Sequence, residues 1–308
     1  MNRTFLIRRV WQTVITAFGV CTIVFLLTHL TPGDPVTIML GEHASFANQK
    51  IMREALGLDE PLITQYFNFL YGVVSLDFGN SIQTNEPVRT LIVDAYPFTA
   101  GLAVVAMLIA IIIAIPAGVL AAYYKDSLID NSLMVGSLLG VSMPSFWLGP
   151  LLIILFAIEL QLLPVSGANS LSGIVLPSIT LGTAMAAILS RLTRASMIEA
   201  LNEDYITTAR AKGVRKITVL FKHALANSII PVVTVAGLQF GALLTGAIIT
   251  ETIFAWPGLG SLTVNAIMAR DYPLIQGVVL ALALSYTIVN LLVDLTYKLL
   301  DPRVQLEE

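Results

Sequence analysis

Residues able to do covalent or metal chemistry are few in this sequence, and their spacing serves none of it. His29, His43 and His223 stand far apart, and none has a second ligand-type residue at i+3 or i+4. The single cysteine, Cys21, excludes an intrachain disulfide and any multi-cysteine metal site. No Gly-x-x-x-x-Gly-Lys-[Ser/Thr] phosphate loop and no Gly-x-Ser-x-Gly nucleophile elbow occur, and the chain lacks even a Gly-Lys dipeptide. A catalytic site, a metal and a cofactor are therefore not expected in this chain.

The remaining polar residues suggest movement of solute rather than reaction. Asn290 and Asp294 lie four apart on one helical face, and Asp294 can snorkel to the interface or bond a neighbouring helix. Proton relays need more buried ionisable groups than this. Gly237, Gly241 and Gly246 would let a helix or a solute approach closely, so they are candidates for a translocation path. Glu251 precedes Trp256-Pro257-Gly258-Leu259-Gly260, a turn in which Gly258 and Gly260 are free to take positive φ. Glu251 can hold a cationic group, pair with another chain, or sit solvated at the interface.

The densest polar run is Glu199 to Lys216. Asn202 or Asp204 can cap a short helix over 205–212, and Gly213 can end it. Tyr205, Ala209 and Lys212 fall at i, i+4 and i+7, which predicts one shared face. Such a helix suits either a lipid surface or the groove of a partner protein.

The elements that position these residues follow from composition. The chain has 308 residues, 56% hydrophobic and only 12% charged. Globular domains carry roughly 25% charge, so a water-facing surface of this size cannot be covered. That excludes a soluble enzyme, a disordered chain and a nucleic-acid binder. The expected class is an all-α integral membrane protein. Charge-free runs predict six spans, at roughly 10–30, 98–123, 133–158, 171–192, 231–252 and 274–299. Pro116, Pro144 and Pro150 fall inside the second and third, where neighbouring helices can satisfy the freed carbonyls. The run Thr252–Ala269 reads instead as a re-entrant or interfacial segment.

With the N-terminus inside, 13 of the 17 Lys and Arg residues fall on the cytoplasmic side, which favours both termini in the cytoplasm. Arg3, Arg8 and Arg9 ahead of an apolar run resemble a signal peptide, and Phe18-Gly19-Val20-Cys21 resembles a lipoprotein box. The run continues past Cys21, however, and reads as an uncleaved anchor.

This divides the chain into 1–30 (N-terminal segment and first span), 31–97 (external subdomain), 98–300 (five-span core) and 301–308 (cytoplasmic tail). An internal loop at 193–230 interrupts the core. The external subdomain carries three basic and eight acidic residues, a net −5. Helices are expected near 48–56, ended by Gly57, and near 61–74, begun by Pro61. It is either a solvated cap or a docking surface for an external partner.

Seven sequence blocks, in order, carry a family likeness. The segment Glu203-Asp204-Tyr205-x3-Ala209-Arg210-Ala211-Lys212-Gly213 resembles the cytoplasmic coupling loop of ABC-importer permeases, in its dipeptide/oligopeptide/nickel form. Similar to that family too are Pro32-Gly33-Asp34-Pro35, Leu56-Gly57-Leu58-Asp59-x-Pro61-Leu62, Leu76-Asp77-Phe78-Gly79 and Ser142-Met143-Pro144-Ser145-Phe146-Trp147. Phe254-x-Trp256-Pro257-Gly258-Leu259-Gly260 and Arg270-Asp271-Tyr272-Pro273 complete the set. The long loop after the first span resembles the first of that family's two permease subunits. The chain departs from the wider permease pattern where Thr207-Thr208-Ala209 replaces Glu-Ala-Ala and Ala226 replaces a late proline.

The resemblance implies ATPase coupling through Glu203, Asp204, Tyr205, Ala209, Arg210, Ala211, Lys212 and Gly213. It implies a second homologous permease subunit, two cytoplasmic ABC ATPase subunits that hold ATP and Mg, an extracytoplasmic solute-binding protein, and surrounding lipid in a bacterial or archaeal inner membrane. The expected cargo is a di- or oligopeptide, with a nickel complex or glutathione as the family alternative. Outside the family, an ion-coupled carrier or a membrane scaffold without cargo remains.

Overall fold

In the computed structural model, residues 3–30, 36, 45–55, 57–168 and 170–300 are described. The Pro32–Pro35 block, Leu56 and the tail 301–308 lie outside them. Among the described residues every regular element is helical and no strand occurs, apart from one isolated bridge between Asn80 and Pro87.

The helices are α1 (Arg3–Leu30), α2 (Phe46–Ala55), α3 (Leu62–Ser75), α4 (Val88–Tyr123), α5 (Leu128–Ser142) and α6 (Ser145–Leu152). After them come α7 (Val175–Leu201), α8 (Asp204–Ala211), α9 (Lys216–Thr245), α10 (Ile248–Ile253), α11 (Leu259–Met268) and α12 (Tyr272–Leu300). A π-helical stretch, Ile153–Glu159, prolongs α6, and another, Val219–Ala224, lies within α9.

Among the described residues four helical segments are long and apolar enough to cross a membrane: Val88–Tyr123, Ser172–Leu201, Lys216–Thr245 and Tyr272–Asp294. A fifth arises if α5 and α6 with its π-helical extension form one broken span, bent by 102°. The apolar stretches Trp11–Leu26 and Leu259–Met268 are shorter. The predicted third span is thus not a straight helix. Pro144 has no N–H and forces the residue before it out of helical geometry; Met143 lies extended at φ −84°, ψ 113°. Pro116, by contrast, passes inside α4 without a break.

The predicted second span starts too late. α4 begins at Val88, ten residues before the predicted start at 98, because Val88, Ile92 and Ala95 keep an i, i+4, i+7 apolar stripe while Arg89 and Asp94 face outward.

The chain forms two compact units. One holds the described residues up to Thr99 with Pro257–Thr287; the other holds Ala100–Trp256 with the described residues from Ile288. In the first, Val88, Ile92 and Ala95 of α4 pack with Leu259 and Ala266 of α11 and Leu274, Val278 and Leu282 of α12. Thr99 Oγ1 accepts the Leu259 N–H at 2.8 Å and so satisfies the start of α11. α3 rests on α1, with the Tyr66 hydroxyl 2.6 Å from Thr22 Oγ1.

In the second unit α7 is the central helix. α5 runs antiparallel to it, since Ser137 meets Ser190 at 2.7 Å and Asp130 meets Arg194. α4 runs parallel to it at close range. A Cβ at Gly118 would stand 2.5 Å from Thr193 Cβ, and one at Gly182 would stand 2.8 Å from the Ala106 carbonyl oxygen. Either helix would have to move to admit a methyl group.

Candidate functional site

The segment between α7 and α9 is held on the body of the second unit by an apolar cluster. Ile206 and Ala209 of α8 pack with Val119 and Ala122 at the end of α4, Met197 and Ala200 at the end of α7, and Val219 and Ala224 of α9. Ile206 is fully buried, and Ala209 is 9% exposed. Four helix ends therefore share one small core, and α8 cannot shift without disturbing the other three.

This orientation corrects the predicted face. Tyr205, Ala209 and Lys212 do not point the same way relative to the body: Tyr205 and Lys212 are exposed, while Ala209 is buried. The apolar pair Ile206 and Ala209, at i and i+3, sets the inward side. Ala209 thus packs on its own chain rather than into a partner. Glu203, Asp204, Tyr205, Thr207, Thr208, Arg210, Ala211, Lys212 and Gly213 form the exposed surface.

The ends of α8 are also defined. Glu203 occupies the N-cap position without a side-chain bond, so neither Asn202 nor Asp204 caps the helix. Asn202 instead closes α7, and Asp204 opens α8, where its charge suits the helix dipole. At the other end the Val214 N–H donates to the Ala209 carbonyl (3.2 Å) and the Gly213 N–H to the Arg210 carbonyl (3.0 Å). That is a Schellman closure, and it requires Gly213 to be left-handed; its φ is +75°.

Residues with which the sequence reading did not connect this segment stand one turn below the cluster. Arg194 of α7 grips Asp130 of α5, which is 1% exposed. The pattern Ser127-x-x-Asp130 at the start of α5 carried a signal for it: Ser127 Oγ accepts the Asp130 N–H at 3.3 Å as an N-cap.

The candidate path residues lie on α9, at its end, on α10 and on α12. Gly237 faces α12, where an added Cβ would collide with Val293, so this glycine serves helix packing. Gly241 is buried on α9, and Gly246 ends the helical run Leu225–Gly246. Asn290 lies on α12 with a buried Oδ1 that has no hydrogen-bond partner. Gln239 Nε2 of α9 and Thr250 Oγ1 of α10 are in the same condition. The reading of the sequence overlooked these two.

Glu251 is fully buried, which removes the solvated interfacial reading. Its carbonyl accepts the Trp256 N–H at 2.8 Å and closes the turn after α10. The positive φ in that turn falls on Ala255 (+46°), whereas Gly258 is extended and precedes α11. Among the described residues no three His, Cys, Asp or Glu side chains come together to hold a metal ion.

Several helices apolar and long enough to cross a membrane, with a short charged helix packed on the ends of three of them, define the class: a multi-pass membrane protein. Residues 114–306 match the family described as binding-protein-dependent transport system inner membrane component. Residues 1–103 match the N-terminal region of the same kind of component. The chain belongs to this family of inner-membrane permease subunits of ABC importers.

It is 42% identical over 301 residues to the glutathione transport system permease protein GsiC of Escherichia coli (strain K12), covering 98% of each chain. It is 42% identical over 333 residues to the dipeptide transport system permease protein DppB of the same strain, again covering 98% of each. The fold matches a chain of the MetNI methionine ABC transporter in an inward-facing conformation. There the TM-score is 0.59 at 17% identity, over 68% of this chain and 96% of that one.

Proposed function

We propose that this chain forms half of the translocation path of a peptide importer, pairs with a second homologous permease, and receives its motor stroke through α8. The observation that carries the reading is the four-helix cluster, which ties an exposed charged helix to the ends of α4, α7 and α9. ATP and Mg belong on two ATPase subunits that grip the exposed side of α8, namely Asp204, Tyr205, Arg210 and Lys212. Closure of those subunits displaces α8, and the cluster passes the displacement to the spans.

On this reading six spans place both termini in the cytoplasm. The first comprises most of α1, and the third is the broken α5–α6 pair. The external segment 31–97 docks a solute-binding protein, and its net −5 calls for a basic patch on that protein. The cargo is a dipeptide or glutathione, since relatives carry those names, with an oligopeptide or a nickel complex as the wider family alternatives. Gln239, Thr250, Glu251 and Asn290 supply polar groups inside otherwise apolar helices, which suits a path for peptide bonds.

The test is reconstitution in liposomes with the second permease, the ATPases and the binding protein. Uptake that needs all components and ATP supports the proposal. Uptake by this chain alone, without nucleotide, would identify an ion-coupled carrier, and no uptake with every partner present would identify a scaffold. Rising salt should weaken binding-protein stimulation if the acidic segment docks it.

A further inference from the structure

The segment after α1 contains a helix that does not behave as a water-facing cap. From Pro61 to Leu76 there is no charged residue, while Asp59 and Glu60 precede this stretch and Asp77 follows it. α3 crosses α1 inside the latter's apolar stretch Trp11–Leu26. Tyr66 reaches Thr22 at 2.6 Å and stacks edge-on against Phe18 and Phe25, with ring centroids 6.3 and 5.2 Å apart. Phe69 also meets Phe25, and the Gln65 side-chain oxygen lies 3.1 Å from His29 Nε2. Phe18, Thr22, Phe25 and His29 fall at i, i+4, i+7 and i+11, one face of α1.

The crossing sets a depth. At 1.5 Å per residue, Thr22 and Phe25 lie about 12 and 8 Å from the end of α1 at Leu30. On the proposed topology, in which α1 spans the membrane and ends near its outer surface, this is close to the depth of about 5–10 Å at which an interfacial helix buries its apolar face.

The side of α3 turned away from α1 is apolar. Ile63, Phe67, Tyr71 and Val74 form a stripe at spacings of four, four and three residues, and they are 63–83% exposed. Exposed apolar residues occur on α1 as well, among them Ile15, Ile23 and Leu26. The polar residues of α3 are engaged by its own loop: Gln65 donates to the Leu58 and Glu60 carbonyls, and Asn68 donates to the Glu60 carboxylate. A helix of 14 residues is about 21 Å long, too short to cross a core of about 30 Å. Acids at both ends, Asp59 and Glu60 before it and Asp77 after it, suit a helix lying parallel to the surface.

We propose that α3 is an in-plane lipid-contacting helix, with the Ile63, Phe67, Tyr71 and Val74 stripe set among the acyl chains of the external leaflet beside α1. The binding protein would then dock on the acidic turn 77–87 and the rest of the loop, with α3 as a foot that fixes the loop to the bilayer.

The experiment uses the full chain assembled with its partner subunits in liposomes of phosphatidylcholine and phosphatidylglycerol. Ile63→Cys, Phe67→Cys, Tyr71→Cys and Val74→Cys, each in a Cys21→Ala background, are labelled with bimane. The labels are exposed to lipids carrying a nitroxide near the headgroup, and separately to aqueous iodide. Loss of fluorescence with the lipid quencher and none with iodide is expected at all four positions. Quenching by iodide would overturn the proposal in favour of a water-facing or transiently covered surface. Protection from both quenchers would overturn it in favour of a protein partner. A photoactivatable phospholipid applied to the unsubstituted assembly gives a second measurement: adducts within 62–75 are expected, and their absence counts against lipid contact.

Discussion

Arg194 and Asp130 form a two-pronged ion pair: Nε lies 2.6 Å from Oδ1, and a terminal guanidinium nitrogen lies 2.6 Å from Oδ2. Asp130 Oδ2 also accepts the Asp126 N–H at 2.9 Å, so the carboxylate fixes the turn before α5 as well as the contact with α7. Higher on the same seam, Ser137 and Ser190 are 2.7 Å apart. Arg194 stands three residues before Met197, which belongs to the cluster that seats α8. If α8 carries the proposed stroke, its displacement would reach α5 through α7, by way of a directional contact.

Breaking this pair should destabilise the chain and uncouple it. Asp130→Ala leaves the guanidinium without its carboxylate. The expected cost is about 3 kcal/mol, the low end for a buried pair, because the Arg194 side chain keeps a quarter of its exposure. Arg194→Lys keeps the charge and loses the fork, so its cost should be smaller. Thermal unfolding in detergent measures both. Equal midpoints for Asp130→Ala and the unsubstituted chain would show that the pair is not a structural element.

Gly213 should tolerate asparagine and resist valine. A Cβ there meets nothing within 4 Å, so the cost of substitution lies in the backbone alone, at φ +75°. A β-branched residue held in that region is strained by roughly 1–3 kcal/mol. Asparagine enters it more easily. Gly213→Val should therefore insert into the membrane at normal level yet lose most uptake, while Gly213→Asn retains it. Quantitation in membrane fractions alongside uptake decides the matter, and equal uptake by the two variants would contradict it.

The stop at Gly213 was legible in the sequence because glycine after a short polar helix marks a left-handed closure wherever it occurs. The inward side of α8 was not. Its stripe is only Ile206 and Ala209, and two residues in an eight-residue helix do not orient it without the partners Met197 and Val219, both of which lie outside the helix. The break at Pro144 was open to the opposite reading, since proline inside apolar runs is both tolerated and disruptive. The early start of α4 was hidden by Arg89 and Asp94, whose charges end an apolar run but not a helix. The link between Ser81 and Asp271 spans 190 residues, which no local pattern reports.

Ala209→Glu should act through the chain's own core. The new carboxylate would have to enter the cluster with Met197 and Ala200, so α8 should lift from the body and the ATPases should be lost together with the stroke. Arg210→Ala changes only the exposed side and should leave the fold untouched. If α8 is the motor contact, Arg210→Ala weakens ATPase retention without lowering the unfolding midpoint. Co-purification of the ATPases with each variant separates the two effects, and full retention with Ala209→Glu would refute the contact.

Glu251→Gln keeps shape and burial and changes only charge. Glu251 is fully buried, so transport should fall more than assembly if the charge serves the path. Uptake rates set against the yield of assembled complex report this ratio, and unchanged kinetics would assign Glu251 to structure.

Asp271 should be the residue on which the external turn depends. It is fully buried and accepts from the Ser81 hydroxyl at 2.5 Å, the Gln83 N–H at 3.2 Å and the Leu274 N–H at 3.2 Å. One carboxylate thus fixes the turn 79–87 and the first turn of α12 together. Asp271→Ala leaves a buried hydroxyl and two N–H groups to find other acceptors, at about 1–3 kcal/mol for each left unsatisfied. The helices around Val88, Leu259 and Val278 pack by apolar contact and should persist. The expected result is faster amide exchange confined to 79–87 and the start of α12, with binding-protein stimulation of ATP hydrolysis reduced. Ser81→Ala removes one bond of the three and should give the same pattern in weaker form. Exchange that rises throughout α4 and α12 would instead make Asp271 a general support of the fold, and normal stimulation with a loosened turn would move the docking surface elsewhere on the segment.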